Sequence, residues 1–314
     1  MDGTVKILPN FKKYNSYIEA VKQQVNPIML SGLTDSGKVH FAYSTHFYTE
    51  RPILLVTYNE LQAKKIMKDL AYFSDEILFF PKREIFAYDY LAESIETYYN
   101  RMNVLNKIQE GKAKVVVTTI EALMQKMITK EVLYCNCLEL KVGQTIELSY
   151  LKEILVKMEY ERYDLVEAAG QFSVRGGILD VAISQKRGVR IEFWGDEIDS
   201  IRYFELTTQR STDMLQQIKI FPSSEFLIED SKEAVVSRIL QREEIPEEQK
   251  QEDIKQILEG DYITKIDRYF NSFYTKQATL LDYISEEYLI FLDEVSKIKA
   301  RNENILKDSK AFLK

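Results

Sequence analysis

Residues 170–183 read Gly170-Gln-Phe-Ser-Val-Arg-Gly-Gly-Ile-Leu-Asp-Val-Ala-Ile183, and residues 189–201 continue as Val189-Arg-Ile-Glu-Phe-Trp-Gly-Asp-Glu-Ile-Asp-Ser-Ile201. Both stretches read as strands joined by glycine-containing turns. Side chains on a strand alternate with a period of two, so Val189, Ile191 and Phe193 point one way and Arg190, Glu192 and Trp194 the other. The first set suits a core. The second puts an arginine, an acid and a large aromatic side by side, the composition favoured at interface hot spots. Arg175 alternates with Val174 in the same manner and is placed to join that polar face. Two readings stay open on these residues alone: a docking surface, or a solvated sheet face whose Trp is partly covered by a neighbouring loop.

Working outward toward the N-terminus, apolar runs alternate with helical patterns. The runs at 27–31, 53–57, 77–80 and 115–119 read as strands. Helical stretches are expected up to about Tyr48, around Leu61, Ile66, Leu70 and Phe73, from Ile95 to Gln109, and over 121–128. That alternation predicts a mostly parallel sheet wrapped by helices. The loop after the first run, Gly32-Leu-Thr-Asp-Ser-Gly37-Lys38-Val39, meets the phosphate-binding pattern GxxxxGK[ST] at Gly32, Gly37 and Lys38 and misses it at the last position. Glycines there let backbone N–H groups face phosphates, and the lysine reaches the outer ones. The final Ser or Thr normally gives Mg²⁺ a hydroxyl. Val39 has none, and Asp35 sets a negative charge in the loop. The chemistry is damaged, so neither ATP nor Mg²⁺ use is expected, while a weakly held anion stays open.

A second half-motif, Tyr288-Leu-Ile-Phe-Leu-Asp293-Glu294, is an apolar strand ending in an acidic pair, as in DExx boxes. No later motor motif follows it and there is no room for a second motor domain. No catalytic residue and no metal site is expected. Between the two halves lies a segment of short elements, with a strand-like stretch at 145–150 leading into a helix that ends near Met158. The expected division is 1–127 for the loop-bearing α/β domain, 128–213 for a small inserted α+β domain, 214–300 for a return to the first domain, and 301–314 for a helical tail or linker to the rest of a longer protein.

Bulk properties exclude several classes. At 314 residues, 45% hydrophobic and 29% charged, the chain has the composition of a soluble protein of two or three domains. No apolar run spans a bilayer, and the start lacks the pattern of a signal peptide, so a cytoplasmic location and no membrane contact are expected. Cys135 and Cys137 read as small buried or half-buried residues of a reducing compartment, sharing a face if they lie on a strand. The net charge of −7, from 49 acids and 42 bases, argues against tight sequence-independent DNA binding by this chain alone.

The order Phe-x-Val-Arg-Gly, then Asp, then Arg-x-Glu-Phe-x-Gly-Asp-Glu-Ile resembles a small domain shared by the excision-repair protein UvrB and the transcription-repair coupling factors. The continuation Phe204-Glu-Leu-Thr-Thr-Gln-Arg-Ser211 is more similar to the coupling factors. The resemblance implies an α/β fold of UvrB type: a RecA-like, mostly parallel sheet with a degenerate P-loop and a small inserted α+β domain. It also implies a non-catalytic adaptor that recruits UvrA to lesions marked by stalled RNA polymerase, with Arg175, Arg190, Glu192 and Trp194 at the UvrA-docking surface. RNA polymerase and double-stranded DNA would be engaged through other domains of the longer protein. Ser173 stands where UvrB-type sequences have another Arg. UvrB also carries a long aromatic hairpin that probes damaged DNA. The short connection from Phe80 to Tyr90 leaves no length for one, and Phe86, Tyr88 and Tyr90 read as packing residues or, alternatively, as base-stacking ones. The rival reading is a P-loop ATPase or helicase fragment acting on DNA through Lys38, Asp293 and Glu294.

Overall fold

The computed structural model of the chain describes residues 7–83, 94–225, 227, 231–259 and 266–312. Phe86, Tyr88 and Tyr90 lie outside them. The strands among the described residues are β1 (Ile53–Thr57), β2 (Ile77–Phe80), β3 (Val115–Thr119), β4 (Leu138–Lys141), β5 (Glu161–Arg162), β6 (Gln171–Arg175), β7 (Ile178–Ala182), β8 (Arg187–Trp194), β9 (Glu197–Glu205), β10 (Ser211–Leu215), β11 (Gln217–Ile220) and β12 (Leu289–Leu292). The chain is α/β and divides into two compact units, Met1–Lys82 with Val104–Gln125 and Leu280–Lys314, and Arg83–Asn103 with Lys126–Thr279.

The first unit holds a parallel sheet in the order β12-β1-β3-β2. β1 and β3 are buried along their whole length, as continuous apolar runs inside a parallel sheet must be. Two helices cover it. The helix Asp35–Thr49 begins at Thr34, whose hydroxyl accepts from the Gly37 N–H, and the helix Glu60–Leu70 begins at Asn59, which accepts from the Gln62 N–H. Val39 and Ala42 from the first and Ala63, Ile66 and Leu70 from the second pack on Ile53, Leu55, Val115 and Val117.

Three expectations here need correction. The run 27–31 is not a strand: Pro27 has no N–H to give a ladder, and Met29, at 92% exposure, contributes no burial that would hold one. Leu61 is exposed, and Ala63 takes the inward place in its helix. The helix expected over 121–128 runs only Ile120–Met124, because Gln125 turns to extended geometry.

The second unit is built on a six-stranded sheet, β10-β9-β8-β7-β6-β5, antiparallel except for the β5–β6 pair. One face carries Phe172, Leu179, Val181, Val189, Ile191, Ile198 and Ile201. These pack against Leu151 and Leu155 of the helix Leu148–Lys157 and against Leu138, Leu140 and Ile220 of the β4–β11 pair. Each such side chain contributes about 1.5–3 kcal/mol by leaving water. A one-residue slip of β8 would exchange Val189 and Ile191 for Arg190 and Glu192, so the register is fixed by the core. The stretch 145–150 is not a strand. Apart from a single bridge between Thr145 and Glu197 it runs into the helix at Leu148, because Leu148, Leu151 and Leu155 are spaced to bury one helical face.

Also within this unit, Glu225 is buried between Arg83 and Arg101, at 3.2 and 2.8 Å. Burial pushes its carboxyl up, but the two guanidinium groups outweigh that and hold it below the usual carboxylate range. The cysteines do not share a strand face: Cys135 ends the helix Lys130–Cys135 and is exposed, Cys137 is half-buried, and both are free thiols. No helix among the described residues is long and apolar enough to cross a membrane.

Candidate functional site

The strand pairing of the second unit collects the polar residues of its sheet into two rows on the face opposite the core. Ser173 lies opposite Asp180, Asp180 opposite Arg190, Arg190 opposite Arg202, and Arg202 opposite Met214. The neighbouring row is Arg175, Ile178, Glu192 and Ser200. Two tight hairpins close at the same end of the sheet, Gly176-Gly177 between β6 and β7 and Gly195-Asp196 between β8 and β9. Gly176 and Gly195 have φ of +58° and +63°, the left-handed geometry that two-residue turns require. Arg175 and Trp194 are the last strand residues before these turns, and Phe193 N–H to Gly177 C=O at 2.8 Å ties the tips together.

On this face Trp194 stands 85% exposed, while Phe193, its neighbour in sequence, packs on the core. Arg190 donates from Nε and Nη2 to the two carboxylate oxygens of Asp180, at 2.8 and 2.9 Å, and its guanidinium lies 4.9 Å from the centre of the Phe204 ring. This bidentate pairing holds the Arg190 pKa above its ordinary value. Arg175 gives one N–H to the same Asp180 at 3.1 Å. Glu192 accepts from Arg202 at 2.6 Å and from the Ser200 hydroxyl at 3.0 Å. The structure therefore brings Arg175, Arg190, Glu192 and Trp194 onto one surface, with their charges arranged through two residues the sequence reading gave no role. Asp180 is the acid that serves Arg175 and Arg190, and Arg202 is the cation that serves Glu192. The alternation Ser200, Arg202, Phe204 on β9 was the available signal for the second; Asp180 stands in the motif order quoted above, but a lone acid between Leu179 and Val181 reads equally well as solvated.

The nucleotide-like loop belongs to the first unit. Gly32 has φ +78°, as such a loop needs, but Gly37 and Lys38 turn their N–H groups onto Thr34, to its hydroxyl at 3.2 Å and its carbonyl at 2.9 Å. The helix N-terminus is thereby capped by its own chain. The Lys38 ammonium sits among three carboxylates: Glu294 at 2.5 Å, Asp293 at 3.0 Å and Asp35 at 3.4 Å. Asp293 is itself buried and accepts from Thr57 and Gln62, each at 3.2 Å. Partial burial pulls the Lys38 pKa down, but the bonds to Glu294 and Asp293 outweigh it and raise the group above its ordinary value; Lys38 in turn lowers Glu294. The groups that would meet a triphosphate and its metal are bonded to one another.

The six-stranded sheet, its two-stranded companion and the helix Leu148–Lys157 lie within residues 138–226, which match the sequence model of the UvrB interaction domain family. Over its whole length the chain is similar to transcription-repair-coupling factors. It is 30% identical to that of Bacillus subtilis (strain 168) over 330 residues, covering 100% of this chain and 28% of the relative. The corresponding figures are 27%, 98% and 28% for Staphylococcus aureus (strain MRSA252), and 28%, 91% and 26% for Staphylococcus epidermidis (strain ATCC 12228 / FDA PCI 1200). The chain thus spans little more than a quarter of the length of these relatives, and the resemblance read from 170–211 extends along all of it.

Proposed function

We propose that this chain is the UvrA-docking adaptor region of a transcription-repair coupling factor, acting in transcription-coupled nucleotide excision repair. The observation that carries the reading is the exposed Trp194 at the hairpin tips, set beside arginines hydrogen-bonded to Asp180 on the sheet of a UvrB interaction domain. A desolvated aromatic anchor flanked by arginine is the usual energetic centre of a protein interface. Arg175, Arg190, Glu192 and Trp194 form this surface. UvrA cannot hold this patch and the equivalent patch of UvrB through the same site, so the two compete. RNA polymerase and double-stranded DNA are engaged by other parts of the longer protein, in the cytoplasm.

The region is non-catalytic and uses neither ATP nor Mg²⁺. Supporting this, Val39 supplies no hydroxyl, Thr34 takes the N–H groups of Gly37 and Lys38, and Lys38 is paired with Asp293 and Glu294. The test is a titration of purified UvrA against the chain, beside ATP turnover with and without DNA. Saturable UvrA binding that UvrB displaces, with no turnover, is the expected result. Turnover that Lys38→Ala abolishes would replace the adaptor by a nucleotide hydrolase.

A further inference from the structure

We propose that Asp180 is the positioning residue of the docking face: a buried carboxylate that holds Arg175 in the orientation in which an acidic group of the partner meets it. The proposal rests on the UvrA-docking reading above and deepens it by separating the arginine that supports from the arginine that reaches. The Asp180 side chain is 1% exposed, Arg190 18% and Arg175 51%. Arg190 spends Nε and an Nη on Asp180 and lies over the buried Phe204, so its guanidinium is a strut between β7, β8 and β9. Arg175 gives Asp180 a single N–H from the hairpin tip and stays half in solvent. A guanidinium has five donors in a planar fork, and one fixed bond orients the plane while leaving an edge for a carboxylate.

Arg175 is also the arginine that a partner reaches most readily. Three arginines (Arg175, Arg190, Arg202) share the face with three carboxylates (Asp180, Glu192 and, opposite Trp194, Glu197), and the most exposed of the arginines is Arg175. Ser173 is neutral and buried, so Arg175 is the one cation that β6 contributes. Beyond Arg175 the same face offers Trp194 and Met214, exposed at 85% and 63%. The complementary site is a carboxylate beside an apolar socket. An arginine already ordered in the free chain loses little further freedom on docking, whereas an unheld one must be fixed at the moment of binding.

The experiment is a double-mutant cycle read as UvrA affinity, using the whole chain as wild type, Asp180→Asn, Arg175→Ala and the double variant, with the melting temperature of each recorded. Asp180→Asn is expected to weaken binding about tenfold when Arg175 is present and less than about twofold when Arg175 is already Ala. Equal losses in both backgrounds overturn the proposal, because a merely structural role for Asp180 would cost the same with or without Arg175. Should Asp180→Asn fail to fold, ¹⁵N relaxation at Arg175 Nε in the unmodified chain decides the matter. Order close to that of the backbone supports positioning, and averaging typical of a free side chain overturns it. A wild-type chain that does not bind UvrA removes the docking reading and this inference with it, whereas binding with additive losses removes this inference alone.

Discussion

Lys38 and Glu294 meet at 2.5 Å, a lysine of a phosphate-type loop closed onto an acid from the end of a distant strand. With Asp293 at 3.0 Å on its other side, the lysine's charge is already balanced by the chain. The pair is a tether between the start of the helix Asp35–Thr49 and the end of β12, and its strength depends on both groups being ionised. Glu294 is lowered from 4.5, so its contribution is present above that value and fades as pH falls through its lower folded pKa. Lys38 is raised from 10.5, so its contribution is full below that value and fades as pH rises through its higher folded pKa. Lys38→Met is therefore expected to lower the melting temperature most between about pH 5 and about pH 10, with the deficit narrowing on either side. Thermal melts across that range check it; a deficit that stays constant down to pH 3 would sink the tether.

Glu225 is expected to be far less forgiving. Replacing it with Gln removes the buried carboxylate that both Arg83 and Arg101 bond to. Breaking a buried pair by removing one partner costs about 3–5 kcal/mol. Urea unfolding of Glu225→Gln at pH 7 should show a loss of that order, and a loss below about 1 kcal/mol would mean that solvent reaches the arginines.

Gly188 faces Phe204 so closely that an added Cβ would lie 2.3 Å from two ring carbons. Phe204 is fully buried and supports the Arg190 guanidinium, so the ring cannot move without disturbing the docking face. Gly188→Ala is expected to cost about 1–3 kcal/mol of stability through overpacking. Gly188→Ala with Phe204→Leu should recover much of it, and failure of the smaller side chain to do so would show that the clash lies instead with the Val181 carbonyl, 3.0 Å away.

Trp194 separates binding from stability. Its 85% exposure means that truncation removes almost no core contact. Trp194→Ala should leave the melting temperature unchanged and weaken UvrA binding by about 2 kcal/mol or more, as loss of an interface anchor does. Unchanged affinity would move the docking surface elsewhere on the chain.

The parts of this fold that were legible in the sequence are those written in neighbouring residues. The runs at 53–57, 77–80 and 115–119 became β1, β2 and β3 with the same bounds; β1 and β3 are buried throughout, as continuous apolar runs in a parallel sheet are, and β2 is half-buried at the edge. The run at 27–31 differs from these in opening on Pro27, which has no N–H to give a ladder, and it does not pair. At 145–150 β-forming residues suggested a strand, and the helical spacing of Leu148, Leu151 and Leu155 prevailed once a core was there to receive it.

The sequence by itself determined the two-faced strand from Val189 to Trp194 and the damaged loop at Gly32, Gly37 and Lys38, because alternation and motif spacing are properties of adjacent positions. Only the tertiary structure decided what those residues bond to. Asp180 reaches Arg190 by strand register, ten residues along the chain, and Lys38 reaches Asp293 across 255. Charges separated by such distances in sequence choose partners only after a hydrophobic core has set the register, and that core is a sum over many side chains that no local pattern records.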